Sequence, residues 1–334
     1  MLSLSPKIAL GFGFISTLAA CNPSDPSAEL PNRVVFEGMC DASAAAALDG
    51  ERFIVADDED NVLRVYSRQG GPAIFTHDVS EFLGNMGKKK PKEADLEAAA
   101  QIGSITYWIT SHGRNSKGKD QPQRERFFAT ETKVQGKKVT IETVGKPYEG
   151  LLDELIADPA LKKYGLEEAS KLAPKTPGAL NIEGMAAHPD GHLYIGFRNP
   201  VPAGKALIVP LLNPRELING AKSKIGEPIE LDLGGLGIRG IDFHDGRYVI
   251  IAGSSGEGGK SRLFTWDGKE NPRAVEGVEL EGINPEGIAF HRRDQKGEYF
   301  LLSDDGTVQV DGTSCKDLKD PSQKRFRGRV VNLP

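Results

Sequence analysis

One arrangement of polar and apolar positions recurs along the chain. A charged residue and a small one open a short apolar stretch. A Gly turn follows, then an apolar strand, then a polar cluster. The clearest copy begins Glu183-Gly184-Met185-Ala186-Ala187 and turns at Pro189-Asp190-Gly191. It returns through His192 to Phe197 and ends at Arg198-Asn199-Pro200. Similar units begin at Asp41, Glu97, Arg239 and Glu286, and end at Asp57-Asp58, Ser111-His112, Ser254-Ser255 and Ser303-Asp304. Gly turns between β-prone runs are hairpin signals. Further strand material follows the hairpins, as at Val62–Tyr66, Arg126–Ala129, Ala206–Leu211 and Arg262–Trp266. The starts are spaced by 56, 86, 56 and 47 residues, one four-stranded blade per repeat. The pattern predicts an all-β β-propeller of five blades, with room for a sixth, weaker one. The widest gap holds an insertion near 148–173, where Leu151, Leu152, Leu155, Ile156, Leu161 and Tyr164 have helical spacing. Arg33–Phe36 is placed to complete the last blade against the chain end near Arg329–Val331.

Composition agrees with this pattern. With 39 Gly and 21 Pro among 334 residues, turns are frequent, which favours many short strands over long helices. A formal net charge of −5 argues against a general nucleic-acid partner. No P-loop, Cys-x-x-Cys or Gly-x-Ser-x-Gly pattern occurs, and the six His give a zinc site little support.

The first twenty residues predict a lipoprotein signal peptide. Lys7 precedes an apolar stretch, Ile8–Leu18, too short to span a bilayer as a helix. Leu18-Ala19-Ala20-Cys21 matches a bacterial lipobox, which makes Cys21 the lipidated residue. The other reading is an ordinary signal peptide that happens to hold a cysteine. Residues 21–32 are a polar tether, and 33–334 a single propeller domain. Asn22 after the cysteine favours the outer membrane, with the domain facing the periplasm or the cell surface. Cys40 and Cys315 then form an even pair in an oxidising compartment. They are joined as a disulfide or stay as two buried thiols.

The free ends of each hairpin lie side by side, opposite the turn. In a propeller these ends meet at one mouth of the central channel. The expected gathering is Asp41, Asp58, Glu97, Glu183, Glu286 and Asp304, interleaved with Arg198, Arg239, His112 and Arg114. Such charges pair with one another and pin the blades, or they make a site. As a site, Asp41, Glu97, Glu183 and Asp304 suit a hard cation such as Ca²⁺. Arg114, Arg198 and Arg239 suit an anionic substrate group, with Glu183, His112, Arg198 and Arg239 as the catalytic set. Asp57-Asp58-Glu59-Asp60-Asn61 has the composition of a calcium loop but lacks its Gly and distant Glu, and reads as a solvated acidic turn. The basic loop His112–Arg126 leaves the same rim, as a lid or as a solvated loop.

Several blocks resemble the bacterial domain-of-unknown-function family numbered 3616. They are Gly38–Ala44, Asp95-Leu96-Glu97, Ser111–Arg114, Asn181–Gly184, Gly196-Phe197-Arg198, Gly237–Gly240 and Ser303–Gly306. The resemblance runs from residue 34 to about 330 and implies a fold more than a chemistry. More distantly, the Glu-Gly starts look like those of phytase-like and esterase-like propellers, whose acidic channel residues bind Ca²⁺ and hydrolyse phosphoesters. Two readings stand. One is an exported, metal-assisted hydrolase of an anionic ester, phosphoester first, or a lactonase. The other is a non-catalytic propeller that binds a glycan, peptide or envelope partner. A monomer, held to the membrane by its lipid alone, is expected in both.

Overall fold

The computed structural model describes residues 33–333 except 257, 294 and 295. The expected signal peptide, Cys21 and the tether lie outside the described residues. Five blade sheets follow one another along the chain, antiparallel throughout except where Arg33–Glu37 pairs in parallel with the short Gly71–Pro72 strand at the edge of the last. Blade 1 consists of Ala42–Ala47, Arg52–Asp57, Val62–Ser67 and Phe75–Asp78. Blade 2 consists of Leu96–Ile102, Ile105–Thr110, Phe127–Gln135 and Lys138–Tyr148. Blade 3 consists of Asn181–Ala187, Leu193–Asn199, Ala206–Leu211 and Ile229–Leu231. Blade 4 consists of Gly237–His244, Arg247–Gly253, Arg262–Trp266 and Arg273–Ala274. Blade 5 consists of Pro285–Arg293, Lys296–Ser303, Arg325–Val331 and, from the other end of the chain, Arg33–Glu37. The first strands pack on one another in a closed ring of five, so the count is five blades and not six.

The ring closes as the position of Arg33–Phe36 ahead of the first hairpin predicts. Arg33–Glu37 pairs antiparallel with Arg325–Val331, with Arg33 opposite Arg329. The insertion folds as two short helices, Leu151–Ala157 and Leu166–Ala169, around a 3₁₀ turn at Lys162–Tyr164. Among the described residues no helix is long and apolar enough to cross a membrane.

Strand alternation builds the core. Side chains of successive residues point to opposite faces, and each face meets a different neighbour. Ile54 therefore packs toward Trp108 and Phe128 of blade 2, while Phe53 and Val55 pack toward Phe300 and Leu302 of blade 5. Five hydrophobic clusters result, one per blade interface. The interface of blades 5 and 1, where the ends of the chain meet, is aromatic. Phe36 stacks on Phe326 at 4.7 Å and meets Phe53, Tyr66 and Phe300 edge-on.

A disulfide joins Cys40, just before blade 1, to Cys315, which follows a two-stranded excursion from blade 5. It closes a loop with a sequence separation of 275. Loops this long restrict the unfolded chain strongly, and such bonds typically contribute about 2–4 kcal/mol. The double variant Cys40→Ser/Cys315→Ser is expected to lose about that much stability, read as an earlier midpoint in urea unfolding. An unchanged midpoint would show that the paired strands of blade 5 hold the ring shut alone.

Candidate functional site at the channel mouth

All five inner strands carry a β-bulge at the mouth end, each marked by a register shift against the second strand. The residues stepped over are Ser43, Glu97, Glu183, Arg239 and Glu286. A bulge re-aims the side chain of its extra residue. Here it turns Ser43, Glu97, Glu183 and Glu286 into the channel, where they line a cavity of about 10 Å³, the room for about one water. The channel is thus filled beneath a polar mouth. Blade 1 supplies Ser43 at this position, not the expected Asp41. Ser43 gives its hydroxyl to the Leu96 carbonyl of blade 2.

Asp41 lies two residues ahead, outside the throat. It forms an isolated antiparallel bridge with Asp304, and the two carboxyls share a hydrogen bond. Gly306 packs directly on the Asp41 carboxylate, since a Cβ there would lie 1.6 Å from Asp41 Oδ1. Only glycine admits the carboxylate at this point.

The mouth divides into two halves of different charge balance. On the side of blades 3, 4 and 5 the charges are matched. Arg198 Nη1 donates to Glu183 Oε1 at 2.7 Å, and Asn181 Nδ2 donates to the same oxygen at 2.7 Å. Arg198 spends its other nitrogens on the carbonyls of Ser254 and Gly256. Arg239 reaches Glu183 Oε2 at 3.4 Å and Asn284 Oδ1 at 2.6 Å, and also pairs with Glu286. Asn284 hands the chain on to Asp304 at 3.0 Å. Gly237 allows this packing, because a Cβ there would lie 1.9 Å from the Arg198 carbonyl. Both guanidinium groups are therefore engaged by protein groups, which departs from their expected use as substrate clamps. Glu183, expected as a metal ligand, is committed to them.

On the side of blades 1 and 2 the carboxylates outnumber the cations. Asp41, Asp57 and Asp58 bring three oxygens within 4.8 Å of one another, and so do Asp58, Asp95 and Glu97. Asp58 belongs to both groups. Its Oδ1 is enclosed and has no hydrogen-bond partner among the described residues. Burial is the largest cause that raises each of these carboxyls, and their mutual repulsion adds to it. Asp41 is pushed up to about 9, with Asp57 and Asp304 as the next causes. Asp57 is pushed up to about 7, with Asp60 next. Asp58 and Glu97 rise well above the carboxylate range, Asp58 by burial and then Glu97, and Glu97 by burial and then Glu183. Asp95 is also raised by burial, against the pull of Arg124, whose Nη1 lies 2.8 Å from Asp95 Oδ2. Asp95 is held at a φ of 62°, a left-handed conformation costly for a non-glycine residue. Lys316 reaches the edge of the group, where it pairs with Glu59 at 2.8 Å.

His112 and Arg114 turn away from this gathering. His112 is buried, and its Nδ1 meets the Thr110 carbonyl at 2.9 Å. Burial first, and Arg126 as well, lower its pKa to about 4, so it is neutral at pH 7. Arg114 binds the carbonyls of Ser170, at the end of the second inserted helix, and of Gly118, in its own loop. The loop they begin is tied down further by Arg126, which donates to the carbonyls of Leu83 and Pro122.

Residues 123–307 match the family model described as a protein of unknown function, DUF3616. The chain belongs to the DUF3616 family. This DUF3616 propeller is similar in fold to several solved structures. One is a GH43_1 enzyme from Xanthomonas citri, 14% identical with a TM-score of 0.46, covering 89% of each chain. Another is the PQQ-bound aldose sugar dehydrogenase from Streptomyces coelicolor, 14% identical with a TM-score of 0.40, covering 90% of this chain and 98% of that one. A third is the major Malassezia sympodialis allergen Mala s 1, 12% identical with a TM-score of 0.42, covering 91% of this chain and 83% of that one. At these identities the likeness is one of fold. No curated protein matches the chain.

Proposed function

We propose that this DUF3616 propeller is an exported lipoprotein whose channel mouth holds Ca²⁺ and, through it, an anionic oxygen ligand. The observation that carries the reading is the shared position of Asp58. It joins two carboxylate groups and keeps an enclosed oxygen without a partner among the described residues. An unpaired buried carboxylate oxygen is costly. An all-oxygen set of Asp41, Asp57, Asp58, Asp95 and Glu97 fits a hard divalent ion better than a softer one. Asp304, hydrogen-bonded to Asp41, holds that carboxyl in place. The bound ion would supply a Lewis-acid centre for a phosphoester, ester or lactone oxygen. Arg198 and Arg239 brace the opposite wall.

Their full engagement favours a second reading, a non-catalytic propeller that presents the ion to an anionic glycan, peptide or envelope partner. Both readings need the cation and differ in turnover. Purified protein is expected to melt several degrees higher in millimolar Ca²⁺ than in chelator, and Asp58→Asn is expected to lose that shift. Hydrolysis of p-nitrophenyl phosphate or a simple lactone, lost in Asp58→Asn, would select the hydrolase. A calcium shift without turnover would select the binder. No calcium shift at any pH between 6 and 9 would sink both.

A further inference from the structure

The hairpin turn of blade 3, at the end of the strands opposite the mouth, gathers a second set of donors. His188, Asp190 and His192 each bring a ligand atom within 4.8 Å of the other two. The turn itself enforces this. His188 N–H donates to the His192 carbonyl at 2.9 Å, and Gly191 N–H to the His188 carbonyl at 2.9 Å. Gly191 takes the left-handed φ of 86° that closes the turn. The two imidazoles lie face to face at 4.0 Å, and His188 Nδ1 is 3.6 Å from Asp190 Oδ2. Tyr194 backs both rings, at 5.1 and 5.4 Å.

We propose that His188, Asp190 and His192 form a binding site for a divalent transition ion of the Zn²⁺ class. Two imidazoles and one carboxylate are a donor set that suits such ions, and three protein ligands leave a position open to water or a further ligand. The chemistry differs from that of the mouth, where all donors are oxygens. Ring edges, not faces, must meet the ion, so binding turns the imidazoles out of their stack. Both are only half-buried, and the terminal ring torsion of His is soft. Six His give a zinc site little support by number, yet His188-Pro189-Asp190-Gly191-His192 places two His four residues apart. The spacing serves here across a β-turn instead of along a helix.

The test is calorimetric titration of the chelator-treated full chain with ZnCl₂. Parent, His192→Ala, Asp190→Asn and Asp58→Asn proteins are compared, with CaCl₂ as the contrasting ion. The expected result is Zn²⁺ binding in the parent and in Asp58→Asn, weakened by at least about tenfold in His192→Ala, since even groups that only orient a ligand are worth roughly 10- to 100-fold. Asp190→Asn is expected to weaken it as well. Asp190 is exposed, so that variant keeps the test valid if His192→Ala folds poorly. Calcium should not compete. Zn²⁺ binding that survives in both turn variants, or that is lost in Asp58→Asn alone, would overturn the proposal. So would the absence of binding at tens of micromolar Zn²⁺.

Discussion

Replacement of Glu183 by Ala is expected to lower the melting temperature by roughly 10 °C, a loss of about 3–5 kcal/mol. Glu183 is the hub of the matched half of the mouth. Its two oxygens accept from Arg198, Asn181 and Arg239, and its side chain is 4% exposed. The arginines are nearly as enclosed, at 13% and 10%. Removal of the carboxylate leaves Arg198 with carbonyl partners only, and leaves Arg239 to Glu286 and Asn284. A buried guanidinium without its counter-charge costs more than the pair contributed, because its desolvation is no longer offset. Glu183→Gln keeps an acceptor in place and should cost distinctly less than Glu183→Ala. The double variant Glu183→Gln/Arg198→Gln should cost less than the sum of its two singles by about 0.5–3 kcal/mol, since each single strands the other group. Thermal and urea unfolding of the four proteins gives the whole cycle. A Glu183→Ala protein that melts within 2 °C or so of the parent would show that the arginines find water or other partners, and that the hub is not one.

The propeller was legible because its signal repeats. Any one Gly turn between apolar runs is weak evidence, but five at blade-length spacing are not. Closure by Arg33–Phe36 is legible because a β-prone run stands ahead of the first hairpin and another stands near the chain end at Arg329–Val331. The mouth is less legible, for local reasons. Asp41-Ala42 imitates the charged-then-small start of the other repeats, so the pattern alone places Asp41 level with Glu97, Glu183, Arg239 and Glu286. The bulge that defines the position falls on Ser43. Alanines on both sides of the strand hide that shift, because the hydrophobic pattern looks the same in either register. Asp57 and Asp58 read as a solvated turn for a different reason. Their enclosure comes from Asp41, Asp95 and Glu97, which reach them only when blades 1 and 2 close on each other. The state of Arg198 and Arg239 also depends on neighbours far along the chain. Clamp and brace have the same sequence.

The acidic half of the mouth should make stability depend on pH and calcium together. Asp41 and Asp57 titrate in the folded chain near 9 and 7, far above the ordinary range of an unfolded aspartate. A carboxyl whose folded pKa is raised stabilises the fold while it stays protonated, and that contribution is lost as pH rises through the folded value. The chelated protein is therefore expected to be steadier near pH 5.5 than at pH 9. Its melting temperature should fall first through the region of Asp57 and then toward that of Asp41. Asp58 and Glu97, raised by the same burial, act in the same direction. If the mouth holds calcium as proposed, the ion is expected to reverse the trend, because it would replace the protons as the partner of the carboxylates. Its stabilisation should be small at pH 5.5 and largest near pH 9. Binding at pH 7 should release protons, seen as a calorimetric heat that changes with the ionisation enthalpy of the buffer. Asp58→Asn removes the group shared by the two clusters and should abolish the calcium effect, while the chelated profile keeps the fall due to Asp41 and Asp57, whose values are raised first by burial. A chelated protein whose melting temperature is level from pH 5.5 to 9 would mean that the carboxylates shed their protons without strain, and that the mouth is solvated rather than poised for an ion.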